Sequence, residues 1–135
     1  MRYKVILPIG LVVILAAGII SGLRADEFKE EDLKKWQAAF MDVVTEGEKL
    51  FHSALGSNKV SCDMCHPNAT NTHPETYPKF HKTLGKVATL RDVINWCIEN
   101  PLEGKPLALD DPKMIALEAY ITWERRGKPL DPGKH

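Results

Sequence analysis

The sequence predicts an all-α domain at residues 26–135, preceded by a short apolar segment. Two observations support this prediction. Apolar residues recur every three to four positions in the first part of the domain, which is the period of an amphipathic helix. Later in the chain, helix-capping residues stand immediately before apolar stretches. No segment shows the regular alternation of polar and apolar residues that is typical of a half-buried strand.

The first helical region is predicted at residues 27–53. The first half of this region, residues 27–39, is highly charged. The apolar side chains in this half and directly after it are Phe28, Leu33, Trp36 and Phe40. Residues 41–53 continue the pattern with Val44, Leu50 and Phe51. Gly47 interrupts this second half, and glycine inside a helix costs about 1 kcal/mol relative to alanine. We therefore expect Gly47 to lie against the backbone of another helix.

The rest of the domain is divided by turn and capping residues. Residues 56–86 are rich in Pro, Asn, Thr and His and are predicted to form a loop. Thr89 should cap a helix over residues 90–100, which Pro101 ends. Residues 102–109 form a connector. Asp110 or Asp111 then caps a last helix, with Pro112 at its first position, which runs to about Arg126 and stops at Gly127.

The predicted loop contains the motif Cys62-Asp63-Met64-Cys65-His66. C-x-x-C-H is the signature for covalent attachment of a c-type haem. Cys62 and Cys65 would each bond one porphyrin vinyl group, and His66 would be the proximal iron ligand. A thioredoxin-like C-x-x-C should follow a strand in a βαβ unit, and half a zinc site would need two more closely spaced ligands. Neither context is present in the sequence, so we predict one haem c.

The N-terminus predicts export. Arg2 and Lys4 precede an almost wholly apolar run over residues 5–20, which is the layout of an export signal. Residues 1–25 are therefore predicted to be a signal peptide, or a membrane anchor if they are not cleaved. Either way the haem domain, residues 26–135, would lie in the periplasm or otherwise outside the cytoplasm. Three of the 18 basic residues lie in residues 1–25, which leaves 15 against 18 acidic residues, and no clustered basic surplus suggests nucleic-acid binding.

The order of helices and motif resembles the class I cytochrome c domain. In that fold an N-terminal helix with a glycine and an aromatic residue crosses a C-terminal helix with aromatics. The resemblance covers residues 43–127 and implies that Gly47 and Phe51 meet Tyr120 and Trp123. It leaves residues 26–42 as an extra N-terminal helix.

The sixth iron ligand is the main open choice. Many class I cytochromes use a methionine from the loop before the last helix, but residues 100–110 contain none, and Met114 is expected in the core. Cys97 is the third cysteine and has no partner once Cys62 and Cys65 hold the haem. It shares a helix face with Ile94 and Ile98, so it is the predicted distal ligand. The alternatives are a small buried thiol at Cys97, or ligation by His73 or His81.

Three segments resemble the haem domains of the sulfur-oxidation and thiosulfate dehydrogenase cytochromes. They are residues 73–80, with a tyrosine-proline pair, residues 85–97, which end in Ile94-Asn95-Trp96-Cys97, and residues 114–121. The resemblance implies that Cys97 is a haem ligand. The known enzymes mostly carry two haems, and this chain has one motif. In size it is more similar to the small His/Cys cytochromes of anaerobic ammonium-oxidising bacteria, which pair as unlike subunits.

Three functions remain compatible with these features. The first is low-potential electron transfer to a redox partner protein, since a thiolate ligand stabilises ferric iron. The second is binding of NO or CO if Cys97 dissociates on reduction. The third is oxidation of a sulfur compound, which would need a cationic pocket that the sequence does not suggest, so we expect an electron carrier more than an enzyme. The apolar side chains of residues 26–42 further predict an interface with a second monohaem subunit.

Overall fold

The computed structural model describes residues 28–129, and it confirms the all-α class. The helices are α1 (Glu30–Phe51), the short α2 (Cys62–Cys65), α3 (Leu90–Glu99) and α4 (Pro112–Glu124). Single 3₁₀ turns lie at Pro67–Ala69 and Pro74–Thr76, and a small hairpin is formed by β1 (Lys79–His81) and β2 (Lys86–Ala88). The chain divides into two units between Lys34 and Lys35. The predicted signal or anchor, residues 1–25, lies outside the described residues.

Helix α1 joins the two predicted halves into one helix of 22 residues. Its first turn holds Glu30, Glu31 and Asp32, and its last turn holds Lys49. These charges match the helix dipole, which favours acids at the N-terminus and bases at the C-terminus. Among residues 28–129, no helix is both long and apolar enough to span a membrane.

The caps of α3 and α4 confirm the predicted starts of both helices. Thr89 accepts a hydrogen bond from the Asp92 backbone, and the Asp92 carboxylate accepts one from the Thr89 backbone. This reciprocal capping box satisfies two backbone donors that the first helical turn leaves unpaired. In α4 it is Asp111 that caps, accepting from the Lys113 N–H at 2.8 Å, with Pro112 at the first position.

Helices α1 and α4 cross at Gly47, which confirms the prediction that this glycine lies against the backbone of another helix. A Cβ atom at Gly47 would lie 1.9 Å from the Ala116 carbonyl oxygen, so only glycine permits this approach. The Phe51 ring packs 5.1 Å from the Tyr120 ring. The Trp123 ring has Phe40 as its aromatic neighbour, edge-on at 5.9 Å. The crossing therefore gives Phe40 a place against α4, which the sequence had not assigned.

The prediction of a plain loop at residues 56–86 was wrong. Strand β1 lies within this segment and pairs antiparallel with β2, with Phe80 opposite Val87. Gly85, with φ of +63°, allows the turn between them. The strands are three residues long, and Phe80 and Val87 are the exposed pair. A strand this short, with its one large apolar side chain in solvent, lacks the pattern by which strands are recognised.

Candidate functional site

The cysteine motif forms its own helical turn, α2, which is fixed to the end of α1 by Asp63. The Asp63 carboxylate accepts a hydrogen bond from Ser61 Oγ at 2.5 Å, and its other oxygen lies 3.0 Å from His52 Nδ1. The Ser61 hydrogen bond, followed by His52, lowers the pKa of Asp63. No role for Asp63 was predicted from the sequence. In the structure it sets the orientation of the turn that carries both thiols.

His66 has the environment of an oriented metal ligand. Its Nδ1 lies 2.9 Å from the carbonyl oxygen of Thr70. Pro67–Ala69 forms a 3₁₀ turn that brings this carbonyl within hydrogen-bonding distance of the imidazole Nδ1. Donation from Nδ1 to a carbonyl fixes the tautomer and leaves Nε2 to bind a metal. The predicted proximal ligand is thus held in the correct tautomer for that role.

An open cavity of about 250 Å³ lies beside the motif. All four residues predicted to hold the haem line it, namely Cys62, Cys65, His66 and Cys97. The opposite walls are mainly apolar and come from α1, α3 and α4, with side chains that include Phe51, Leu90, Ile94, Leu117 and Ile121. The fold therefore brings Cys97 into the same cavity as a motif that ends 31 residues earlier.

Both thiols on the inner side of the cavity are hard to ionise. Burial, reinforced by the neighbouring Cys97, raises the pKa of Cys62 to about 12. Burial and the charge of Cys65 raise the pKa of Cys97 to about 11. Cys65 is exposed, whereas Cys62 and Cys97 are half-buried. The raised pKa values disfavour free thiolate chemistry at either residue in the haem-free chain.

The three alternatives to Cys97 lie in different environments. Met114 is fully buried in the core and does not line the cavity, as predicted. His73 is also outside the cavity lining, and its Nδ1 lies 3.1 Å from a Glu75 carboxylate oxygen. His81 does line the cavity, and its buried Nδ1 makes no hydrogen bond. Of the three, His81 alone lies at the cavity.

The connector before α4 is held by two residues of α3. Asn95 makes a pair of 2.9 Å hydrogen bonds with the backbone N–H and carbonyl of Leu107. Arg91 donates to the Leu109 carbonyl at 2.6 Å and to a Glu118 carboxylate oxygen at 2.7 and 2.9 Å. The role of Asn95 was not predicted from the sequence. Asparagine is a poor helix former, so an asparagine within a helix is a recognisable signal of a side-chain contact. The connector that supplies methionine in other cytochromes is here fixed to the helix that carries Cys97.

The residues present fit a covalent haem. The motif supplies two thiols for thioether bonds and a histidine with Nε2 available, and the cavity supplies apolar walls for the porphyrin. When bound, the haem supplies a one-electron redox centre, and the protein residues orient it. A helical domain with this motif beside an apolar cavity is a c-type cytochrome domain.

Comparison with known families agrees with this class. Residues 46–130 match the family model described as the SoxA/TsdA cytochrome c domain. This match covers more than half of the chain, and the chain belongs to that family. It therefore binds a covalent c-type haem, and its single motif corresponds to one haem.

Curated relatives with sequence similarity are thiosulfate dehydrogenases. The chain is 32% identical over 81 residues to the enzyme of Psychrobacter arcticus, covering 54% of this chain and 25% of the enzyme. It is 32% identical over 85 residues to the enzyme of Allochromatium vinosum, covering 54% of this chain and 32% of the enzyme. Identity to the Thiomonas intermedia enzyme is 26% over 110 residues, covering 76% of this chain and 35% of the enzyme. The chain thus spans at most about a third of these relatives.

Proposed function

We propose that this chain is an exported monohaem cytochrome that transfers electrons at low potential, with His66 and Cys97 as its axial iron ligands. The observation that carries the proposal is the common cavity, which Cys62, Cys65, His66 and Cys97 all line. The hydrogen bond from His66 to Thr70 supports the proximal assignment, because it leaves Nε2 to bind iron. Family membership supports the haem chemistry.

The distal assignment explains why a half-buried, unpaired thiol lines this cavity. An iron with two protein ligands has no open position for a substrate, which suits electron transfer. With a pKa of about 11, the Cys97 thiol keeps its proton at neutral pH in the haem-free chain. Bonding to a metal removes the proton from such a thiol. The resulting anionic ligand stabilises the ferric state and lowers the reduction potential relative to methionine ligation.

The N-terminal segment supports the export part of the proposal. Residues 1–25 carry the basic start and apolar run of an export signal. We infer that the haem domain works in the periplasm, either free after cleavage or anchored by the uncleaved segment.

A redox partner is part of the proposal, and a second monohaem cytochrome subunit is the partner we favour. Four large apolar side chains in and just before the first part of α1 are between 43% and 64% exposed, namely Phe28, Leu33, Trp36 and Phe40. Exposed large apolar side chains can mark a protein–protein interaction surface. The first part of α1 would then serve association, with the rest of the haem domain left to transfer electrons.

A second candidate is the haem domain of an enzyme that oxidises sulfur compounds, because the relatives that match are thiosulfate dehydrogenases. An anionic substrate would need positive charge at the cavity. Lys79 lines the cavity, and the Lys79 ammonium lies 4.7 Å from the Tyr77 ring centroid. Arg91 is bound to Glu118 and does not line the cavity. Electron transfer is therefore the better supported function for this chain alone.

A potentiometric titration of the purified holoprotein tests the proposal. We expect one-electron behaviour, and a higher potential in Cys97→Ala because the anionic ligand is lost. Thiosulfate should not reduce the haem, and CO should not shift the absorption bands of the reduced protein. An unchanged potential in Cys97→Ala would contradict the proposed ligation. Reduction by thiosulfate would favour the second candidate, and a CO-shifted spectrum would favour gas binding.

A further inference from the structure

Tyr77 is a polar side chain in the cavity for which the haem attachment chemistry has no use. Both Tyr77 and Cys97 line the cavity, and Tyr77 is partly buried against the hydrophobic core. The Tyr77 phenol is a protonated donor at neutral pH, and it shares the cavity with the Cys97 thiol.

The turn before Tyr77 is anchored to other parts of the domain. The 3₁₀ turn Pro74–Thr76 ends at Tyr77, whose N–H donates to the Pro74 carbonyl at 3.4 Å. The Glu75 carboxylate lies 3.1 Å from His73 Nδ1, and both side chains are at most 19% exposed. Burial alone would raise the pKa of Glu75, but its own backbone N–H, His73 and Arg125, the C-cap of α4, outweigh burial and lower it. The turn is thereby tied to α4, which restricts the movement of Tyr77.

A cation lies over the ring of this tyrosine. Lys79 Nζ is 4.7 Å from the Tyr77 ring centroid, within the range of a cation–π interaction. A positive charge at the ring face withdraws electron density from the phenol, which makes its O–H a stronger hydrogen-bond donor. The cavity that Cys97 lines thus also contains a held and polarised donor.

We propose that Tyr77 is a positioning residue for the iron ligand Cys97, donating a hydrogen bond from its hydroxyl to the thiolate sulfur in the holoprotein. The inference rests on the proposed function, in which Cys97 binds the iron. A hydrogen bond to a ligating sulfur reduces its electron donation to the metal and raises the reduction potential. Tyr77 would therefore offset part of the potential lowering that the thiolate causes, and would set the strength of the iron–sulfur bond.

The test compares two variants that each lose a single hydroxyl, Tyr77→Phe and the matched control Tyr120→Phe. Tyr120 is buried between α1 and α4 and does not line the cavity. In the holoprotein, Tyr77→Phe should retain a low-spin thiolate EPR signal with shifted g values. Its reduction potential should be lower than that of the wild type, and its iron–sulfur stretching frequency in resonance Raman should be higher. Tyr120→Phe should match the wild type in all three.

A second measurement keeps the inference testable if Tyr77→Phe fails to assemble. In the wild-type holoprotein, exchange into D₂O should shift the iron–sulfur stretch, because the hydrogen bond carries an exchangeable proton. A wild-type thiolate signal with no D₂O shift, or with a Tyr77→Phe potential equal to the wild type, would overturn the role of Tyr77 and leave Cys97 as the ligand. Absence of any thiolate signal in the wild type would overturn both assignments.

Discussion

Replacing Gly47 with alanine should destabilise the domain, although alanine is the better helix former. The new Cβ would lie 1.9 Å from the Ala116 carbonyl oxygen, and real Cβ contacts essentially never fall below 3.0 Å. Helices α1 and α4 would have to separate by more than 1 Å, because the obstructing atom belongs to the backbone. Such overpacking costs up to about 3 kcal/mol, and the helix propensity of alanine returns about 1 kcal/mol. The net loss is about 2 kcal/mol.

Urea unfolding of the holoprotein, followed by helical circular dichroism, measures this loss. For a domain of this size, about 2 kcal/mol corresponds to a fall in Tm of roughly 8–16 °C. The matched control is Ala39→Gly at an exposed position of the same helix, which reports helix propensity alone and should cost about 1 kcal/mol. A Gly47→Ala variant as stable as the wild type, beside a destabilised control, would refute the close crossing at Gly47.

Three further predictions concern attachment, capping and association. Haem should stay with the protein after acid–acetone extraction, and the mass of the protein should include one haem. When Cys62 and Cys65 are replaced with serine, the haem should be released into the acetone phase. Retention of the haem in that variant would contradict thioether attachment. Lys86 and Thr89 bond the Asp92 carboxylate and lower its pKa, so Asp92 stabilises the fold above its unfolded pKa of about 4 and loses this effect as the pH falls further. The difference in unfolding free energy between wild type and Asp92→Asn should therefore shrink below about pH 4, and a pH-independent difference would exclude this linkage. Leu33 is half exposed on α1. Replacing it with glutamate should convert the assembled protein to monomers, as measured by sedimentation velocity, without loss of haem. A wild-type protein that is already monomeric, with no co-purifying cytochrome, would remove the case for this interface.

The helical elements were predictable because their signals are local. Thr89 and Pro112 act on the first turn of their own helices, so the residue types alone indicate where α3 and α4 begin. Gly47 was informative for a different reason. A glycine lowers the stability of its helix, and a close contact with another helix must balance that loss. The hairpin was not predictable, because Lys79 and His81 face the cavity while Phe80 and Val87 are exposed. That arrangement reverses the usual burial of apolar residues.

The candidate site was only partly predictable. The motif specifies its own three residues, and the unpaired Cys97 was a reasonable fourth. The sequence could not separate His73 from His81, because cavity lining depends on how the chain folds between residues 73 and 81. Nor could it assign Asp63 or Tyr77, because the contact of Asp63 with His52 and the place of Tyr77 in the cavity depend on the folded chain.

EPR spectroscopy of the ferric holoprotein and its Cys97→Ala variant distinguishes Cys97 from the other candidate iron ligands. Cys97 ligation predicts a low-spin thiolate signal in the wild type and its loss in Cys97→Ala, with a high-spin or newly ligated iron in its place. His81→Ala and Met114→Leu should keep the wild-type signal. A spectrum unchanged by Cys97→Ala but altered by His81→Ala or Met114→Leu would contradict Cys97 ligation.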